Sequence, residues 1–298
     1  MPTGTLKPNQ TDSIKYLFVW PALFIVLLVT LFPLIYALTV SFQSVRLIPP
    51  LPVKFVGFDN YQSLLESARF WQSVGTTLFI VLSSVAIQYV VGFMLALALH
   101  NKVPGEKLYR VVFLLPMFMA PIAVALVARM MFHSALGPVN DFFSLLGFEN
   151  LPFLTETSWA LGVLVTVEVW QWTPFVTLLM LAGLQGLPKD VYEAASLENV
   201  PPWRQFWDIT FPMLLPLSVV VVFIRIVEGF KIIDTVYILT GGGPGTSTET
   251  LTLFAYNQGF KTFNLGEASA LSFLFLIVIV VLGSVYLAAV KPVVEKRT

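Results

Sequence analysis

The chain has 298 residues, of which 57% are hydrophobic, 14% aromatic and only 11% charged, where an ordinary soluble domain carries roughly a quarter charged residues. Seventeen basic and seventeen acidic residues cancel, which leaves no electrostatic footprint for nucleic acid. Cys is absent, so disulfides, thiolate metal sites and cysteine nucleophiles are excluded, and the two histidines, His100 and His133, are too few for a histidine-rich metal cage.

A helix needs about 20 mostly apolar residues to cross the hydrocarbon core. Six stretches meet that length: 17–42, 74–99, 111–133, 159–184, 209–230 and 268–290. The expected fold is therefore an all-α integral membrane protein, with six transmembrane helices forming a single domain over 1–298. The first stretch is too long for a signal peptide, lacks a small-residue cleavage site and contains Pro21 and Pro33, so it reads as a kinked span. The alternating ten-residue segments of a β-barrel are not seen, and Phe273 to Leu282 is apolar on every face. With the N-terminus inside, the inner segments hold Lys7, Lys15, Lys102, Lys107, Arg110, Lys189, Arg204, Lys291, Lys296 and Arg297. The outer segments hold only Arg46, Lys54, Arg69, Lys231 and Lys261, and none falls between Ser134 and Ser158. That bias predicts that both termini are cytoplasmic.

Polar residues interrupt the spans at few places. In the fourth, Glu168, Trp170, Gln171, Trp172 and Thr173 precede Pro174 at about mid-depth. Aromatic faces with carboxylate and amide partners suit a carbohydrate; the alternative is an interfacial aromatic pair beside a proline kink, which mid-depth makes the poorer reading. Arg129, in the third span, has two options, pairing with Glu168 or snorkelling outward. The loop 185–208 between spans four and five reads as a short helix. Pro188 suits a first turn, Asp190 and Glu193 favour the positive end of the helix dipole, Asn199 tolerates a left-handed stop, and Pro201 and Pro202 forbid continuation. Ala194 and Ala195 leave the middle of that helix almost free of side-chain bulk. Span five ends in Arg225, Glu228, Lys231 and Asp234, whose three-residue spacing places alternating charges along one flank. Either this flank lines a path, or Arg225–Glu228 is a structural pair and the other two lie beyond the membrane. Glu228 and Gln171 are expected to face one shared cavity. Gly241 to Gly245 cannot be a phosphate loop, since no Lys follows a Gly; it reads as a tight turn.

Glu193-Ala194-Ala195, three residues, Asn199, and then Ile209-Thr210-Phe211-Pro212 resembles the EAA loop of ABC importer permeases. That pattern runs Glu-Ala-Ala, three residues, Gly, and a spacer to Ile-x-Leu-Pro. Asn199 replaces the Gly with the next-best residue for a left-handed turn, and Phe211 replaces the Leu with another large apolar group. Trp170-x-x-x-Pro174-Phe175 with Leu181-Ala182-Gly183-Leu184, and Leu239-Thr240-Gly241-Gly242-Gly243-Pro244, look like the carbohydrate-uptake branch of that family. These matches run over roughly 75–290.

The resemblance implies a permease-like bundle in a bacterial or archaeal cytoplasmic (inner) membrane, importing a sugar or related polyhydroxy solute. It implies an extracytoplasmic solute-binding protein, two nucleotide-binding ATPase subunits that hold the ATP and Mg, and a second, similar permease in a heterodimer. This chain then binds no cofactor or metal and has no catalytic residue. Asp190, Tyr192, Glu193, Ala194, Ala195, Leu197 and Asn199 are the expected ATPase-coupling residues. Glu168, Trp170, Gln171 and Trp172 of span four, with Arg225, Glu228, Gly229 and Ile232 of span five, are the expected substrate path. The competing class is an ion-coupled secondary transporter of a small polar solute, but its usual inverted repeats are not visible. A membrane enzyme would need an acid/base or metal constellation that the sequence lacks.

Overall fold

The computed structural model describes residues 8–50, 52–100 and 111–295. Lys7, Lys102, Lys107, Arg110, Lys296 and Arg297, which contribute to the predicted orientation, lie outside the described residues. The described chain is helical. The elements are α1 (Pro8–Ser41), α2 (Asp59–Glu66), α3 (Ala68–His100), α4 (Val111–Phe118), α5 (Pro121–Met131), α6 (Pro138–Leu145) and α7 (Thr157–Gln185). There follow α8 (Lys189–Leu197), the single turn α9 (Pro202–Arg204), a π-helical turn Gln205–Thr210, α10 (Phe211–Gly229), α11 (Asp234–Leu239), α12 (Leu251–Tyr256) and α13 (Leu265–Glu295). No strand forms among the described residues, only the isolated bridges Gln43–Phe55 and Arg46–Asn264.

Five helical stretches are long and apolar enough to cross a membrane: Val19–Ser41, Ala68–His100, Thr157–Gln185, Pro202–Gly229 and Leu265–Pro292. The sixth expected span, 111–133, is not one helix. Its halves α4 and α5 meet at 103°. Pro121 is the cause: its ring disfavours the helical conformation in the preceding residue, and Ala120 is accordingly extended at φ −61°, ψ 132°. The first span is a helix that continues through Pro21 and Pro33.

Two compact units are present, one running to Leu64 and taking in Asn257–Phe273, the other Leu65–Tyr256 with the chain from Leu274 onward. In the first unit, Asn60 Nδ2 donates to the carbonyls of Ser41 (2.8 Å) and Gln43 (3.0 Å), tying α2 to the end of α1. The second unit is organised around α7, whose most apolar stretch is 61% buried, against 6% for the corresponding stretches of α1 and α13. Lipid supplies no hydrophobic drive for helix association, so close approach at small residues decides the packing. A Cβ on Gly92 of α3 would lie 2.8 Å from Val176 Cβ of α7. A Cβ on Gly183 of α7 would strike the Leu214 and Leu217 side chains of α10. Around these contacts Phe93, Ala96, Met180, Leu181, Leu214 and Val221 form one apolar core. A second core joins α5, α7 and α11 through Val124, Ala128, Val163, Val167, Val236 and Leu239.

Candidate functional site

Where α3, α7 and α10 meet, three polar side chains are buried together. Arg225 of α10 is 2% exposed and Glu168 of α7 is 5% exposed. Arg225 Nη2 donates to Glu168 Oε1 at 3.0 Å, and Arg225 Nε donates to Gln88 Oε1 of α3 at 2.9 Å. Gln88 Nε2 in turn donates to the backbone carbonyl of Glu168 at 3.0 Å, so each helix is tied to the other two. Trp172, one turn after Glu168 on the same face of α7, lies under the guanidinium at 4.7 Å from the ring centroid. Taking two charges out of water costs on the order of several kcal/mol per ion, and only such surrounding hydrogen bonds make a buried pair tolerable. Arg129 does not pair with Glu168; its Nη1 donates to the carbonyl of Ile238 at 3.0 Å.

This node forms one wall of a cavity of about 250 Å³. Beyond Glu168, Trp172 and Arg225, the lining includes Glu228, Lys231, Ile232 and Asp234. The Arg225–Glu228 pair of the alternative reading does not form. Glu228 instead accepts from Lys231 Nζ at 2.8 Å, both side chains being largely exposed. The expected four-charge helical flank is also cut short, because α10 ends at Gly229 and Asp234 opens α11. The chain reversal 230–233 nevertheless carries Lys231 and Asp234 back to the same cavity. Two cations, three carboxylates and an indole face thus line one space, an arrangement able to donate and accept hydrogen bonds around a hydroxyl-rich solute.

Not every expected path residue arrives there. Trp170 is 52% exposed and borders a separate, apolar groove with Met119, Val127 and Phe132. Gln171 is 1% exposed; its Nε2 donates to the Met119 carbonyl at the α4–α5 break, and its Oε1 is buried without a partner. The expected shared cavity of Gln171 and Glu228 is therefore not formed, since Gln171 is not among the residues lining the charged cavity. Trp170 points to the side of α7 opposite Glu168 and Trp172, and Gln171, at the edge of their face, is engaged by the Met119 carbonyl instead. Gly229 packs on α3, where a Cβ would come within 3.2 Å of Val81 Cγ1. Gln88 is the partner that the sequence reading missed. Its signal was present, since a lone amide inside an apolar span is normally paired or functional.

The loop helix α8 follows its sequence signals closely. Pro188 is the N-cap and Asp190 lies in the first turn. Asn199 adopts φ 53°, and the N–H groups of Asn199 and Val200 donate to the carbonyls of Ser196 and Ala195, a Schellman stop. Asp190, Glu193, Ala194, Leu197 and Asn199 are exposed, Leu197 at 85%. Ala195 departs from the reading of an open two-alanine surface, being only 6% exposed and turned into the protein. Tyr192 also faces inward, its hydroxyl 2.8 Å from Thr210 Oγ1 at the entry to α10.

A multi-span bundle with a charged cavity and a capped loop helix is the build of a membrane transport subunit. The chain belongs to the family described as binding-protein-dependent transport system inner membrane component, whose model matches residues 88–298. It is a multi-pass inner-membrane permease subunit and not an enzyme; ATP hydrolysis belongs to partner ATPase subunits. It is 34% identical over 289 residues to the trehalose/maltose transport system permease protein MalF of Thermococcus litoralis, with 96% of each chain covered. It is also 34% identical over 292 residues to the trehalose transport system permease protein SugA of Mycobacterium tuberculosis, covering 96% of this chain and 93% of that one. Its fold matches a chain in the crystal structure of a bacterial alginate ABC transporter in complex with an alginate pentasaccharide-bound periplasmic protein, at TM-score 0.85, 20% identity and 96% coverage of both chains. The secondary-transporter alternative is not favoured by this membership.

Proposed function

We propose that this chain is the membrane-spanning subunit of an ATP-driven importer of a sugar or related polyhydroxy solute, handed over by an extracytoplasmic binding protein. The observation that carries this reading is the cavity shared by Glu168, Trp172, Arg225, Glu228 and Ile232. It offers a polyol donors, acceptors and an aromatic face, each hydrogen bond being worth about 1 kcal/mol net. The names of the trehalose and maltose relatives support the same solute class. A second, similar and non-identical permease completes the path.

Coupling runs through α8. Its exposed Asp190, Glu193, Ala194 and Leu197 seat one of two ATPase subunits, while Tyr192, Ala195 and Asn199 hold the helix in shape. Tyr192 grips Thr210, the residue that leads into α10, and α10 bears Arg225 and Glu228. Closure of the ATPases therefore moves the helix that carries the cavity charges. Both termini are cytoplasmic in this reading, with α8 inside and α6 outside.

The test is uptake of trehalose and maltose by the complex reconstituted in liposomes with its partner subunits. ATP-dependent uptake is expected, with Glu228→Gln lowering it while basal ATP hydrolysis persists. Uptake by this chain alone, driven by an ion gradient, would overturn the reading. The chain has no Cys of its own, so single probes report topology cleanly. Ser144→Cys should react with an impermeant reagent from outside, and Ser196→Cys only after the membrane is opened; the reverse pattern inverts the orientation.

A further inference from the structure

The segment between α11 and α12 is held in more places than a connecting loop needs. The Thr248 N–H donates to the Gly242 carbonyl at 3.1 Å, and the Thr248 hydroxyl to that of Gly243 at 2.8 Å. The Leu251 N–H donates to Thr77 Oγ1 of α3 at 2.9 Å. Near the start of α3, Arg69 grips Glu249 with both arms, Nε to Oε2 at 2.6 Å and Nη2 to Oε1 at 2.7 Å. The same guanidinium lies 4.6 Å from the centroid of the Phe254 ring in α12. Glu249 is 2% exposed, so it cannot leave this partner without stranding a buried carboxylate.

The other end of the segment reaches the charged cavity. The hydroxyls of Thr250 and Thr252 both donate to the carbonyl of Ile232, at 3.3 and 2.9 Å. Ile232 is a wall of that cavity and sits in the reversal between Glu228–Lys231 and Asp234. A bidentate pair on one side and two hydroxyls on the other leave the intervening residues no slack.

We propose that Arg69 and Glu249 are a positioning pair for the cavity. They fix 240–252 against α3, and through Thr250 and Thr252 they fix the reversal at Ile232, which sets how open the cavity is. The proposal rests on the reading of this cavity as the solute path. Neither residue touches the cavity itself; they act through the threonines.

The experiment uses the complete transporter in nanodiscs without nucleotide, with Ile233→Cys as its sole cysteine and an impermeant cationic thiosulfonate as probe. Glu249→Gln should raise the labelling rate at position 233 about tenfold, because local opening of the segment governs how often the wall yields. Thr250→Val with Thr252→Val should raise it through the same linkage, and all three changes together should add nothing further. Equal rates in parent and Glu249→Gln, or effects that multiply, overturn the proposal. If Glu249→Gln does not assemble, Glu249→Asp, which keeps the charge but shortens its reach, enters the same cycle with the same two outcomes. Failure of the path reading has a different signature: complete labelling at position 233 leaves binding-protein-stimulated ATP hydrolysis with trehalose and maltose unchanged, whatever the labelling rates.

Discussion

In the Arg225 node the bonded partners stand 57, 80 and 137 residues apart along the chain. The hydrogen bonds that define α8 and its ends span 18 residues or fewer. The node therefore exists only when three helices are already packed, and each member is satisfied by groups that another helix brings. The loop helix carries its own start and stop signals and needs tertiary structure only at Tyr192 and Ala195. The contrast predicts unequal tolerance. Removing one member of the node strands the others, whereas a change on α8 is absorbed unless it meets one of its two inward side chains or the left-handed stop at Asn199.

The largest effect is expected at the node. Arg225→Met leaves Glu168 buried and uncompensated, a loss of about 3–5 kcal/mol, whereas Arg225→Met with Glu168→Leu should recover most of it. Thermal unfolding of the purified protein measures both, and a single variant as stable as the parent would show that the node is not a unit. Next come the two alanines of α8. Ala195→Trp overpacks an inward position, at about 1–3 kcal/mol. Ala194→Trp projects outward and should change stability by less than about 0.5 kcal/mol while abolishing ATPase co-purification. Normal co-purification of the Ala194 variant would remove α8 as the docking surface.

A smaller effect tests the local stop signal. Asn199→Ala at φ 53° should cost about 1 kcal/mol and speed hydrogen exchange over 189–200, while Asn199→Gly should not. Indistinguishable exchange in the alanine variant would mean that α8 is held mainly by its contacts with the bundle. The smallest effect on transport is expected at Gln171, which lies outside the charged cavity. Gln171→Met should cost less than about 1.5 kcal/mol and leave the KM for uptake unchanged. A raised KM would return Gln171 to the path.

The residues explain what could be read early. Pro188, Asp190, Asn199 and the Pro201–Pro202 stop each act within a turn of helix, so α8 was visible without any knowledge of its neighbours. Membrane spans were visible for the same reason, because twenty apolar residues announce themselves locally. The break at Ala120 is not legible in composition, which makes 111–133 one apolar stretch; it comes from Pro121, which bends that stretch between α4 and α5. The polar island of α7 was found, but its division was not: Glu168 and Trp172 turn to the cavity, while Trp170 and Gln171 turn elsewhere. Family membership brought the transport role, and neither periodicity nor charge count would have done so.

Composition, span length, helix caps and the absence of cysteine determined by themselves that this is a helical membrane protein with one well-ended loop helix. These are sums over neighbouring residues, and no partner is needed to evaluate them. Only tertiary structure decided that Arg225 pairs with Glu168 rather than Glu228, that Gln88 joins them, that Ala195 faces inward, and that Lys231 and Asp234 return to the cavity past the end of α10. A charge in a low-dielectric interior goes to whichever opposite group the packed helices bring within about 3 Å, and sequence spacing along one helix does not reveal who that is.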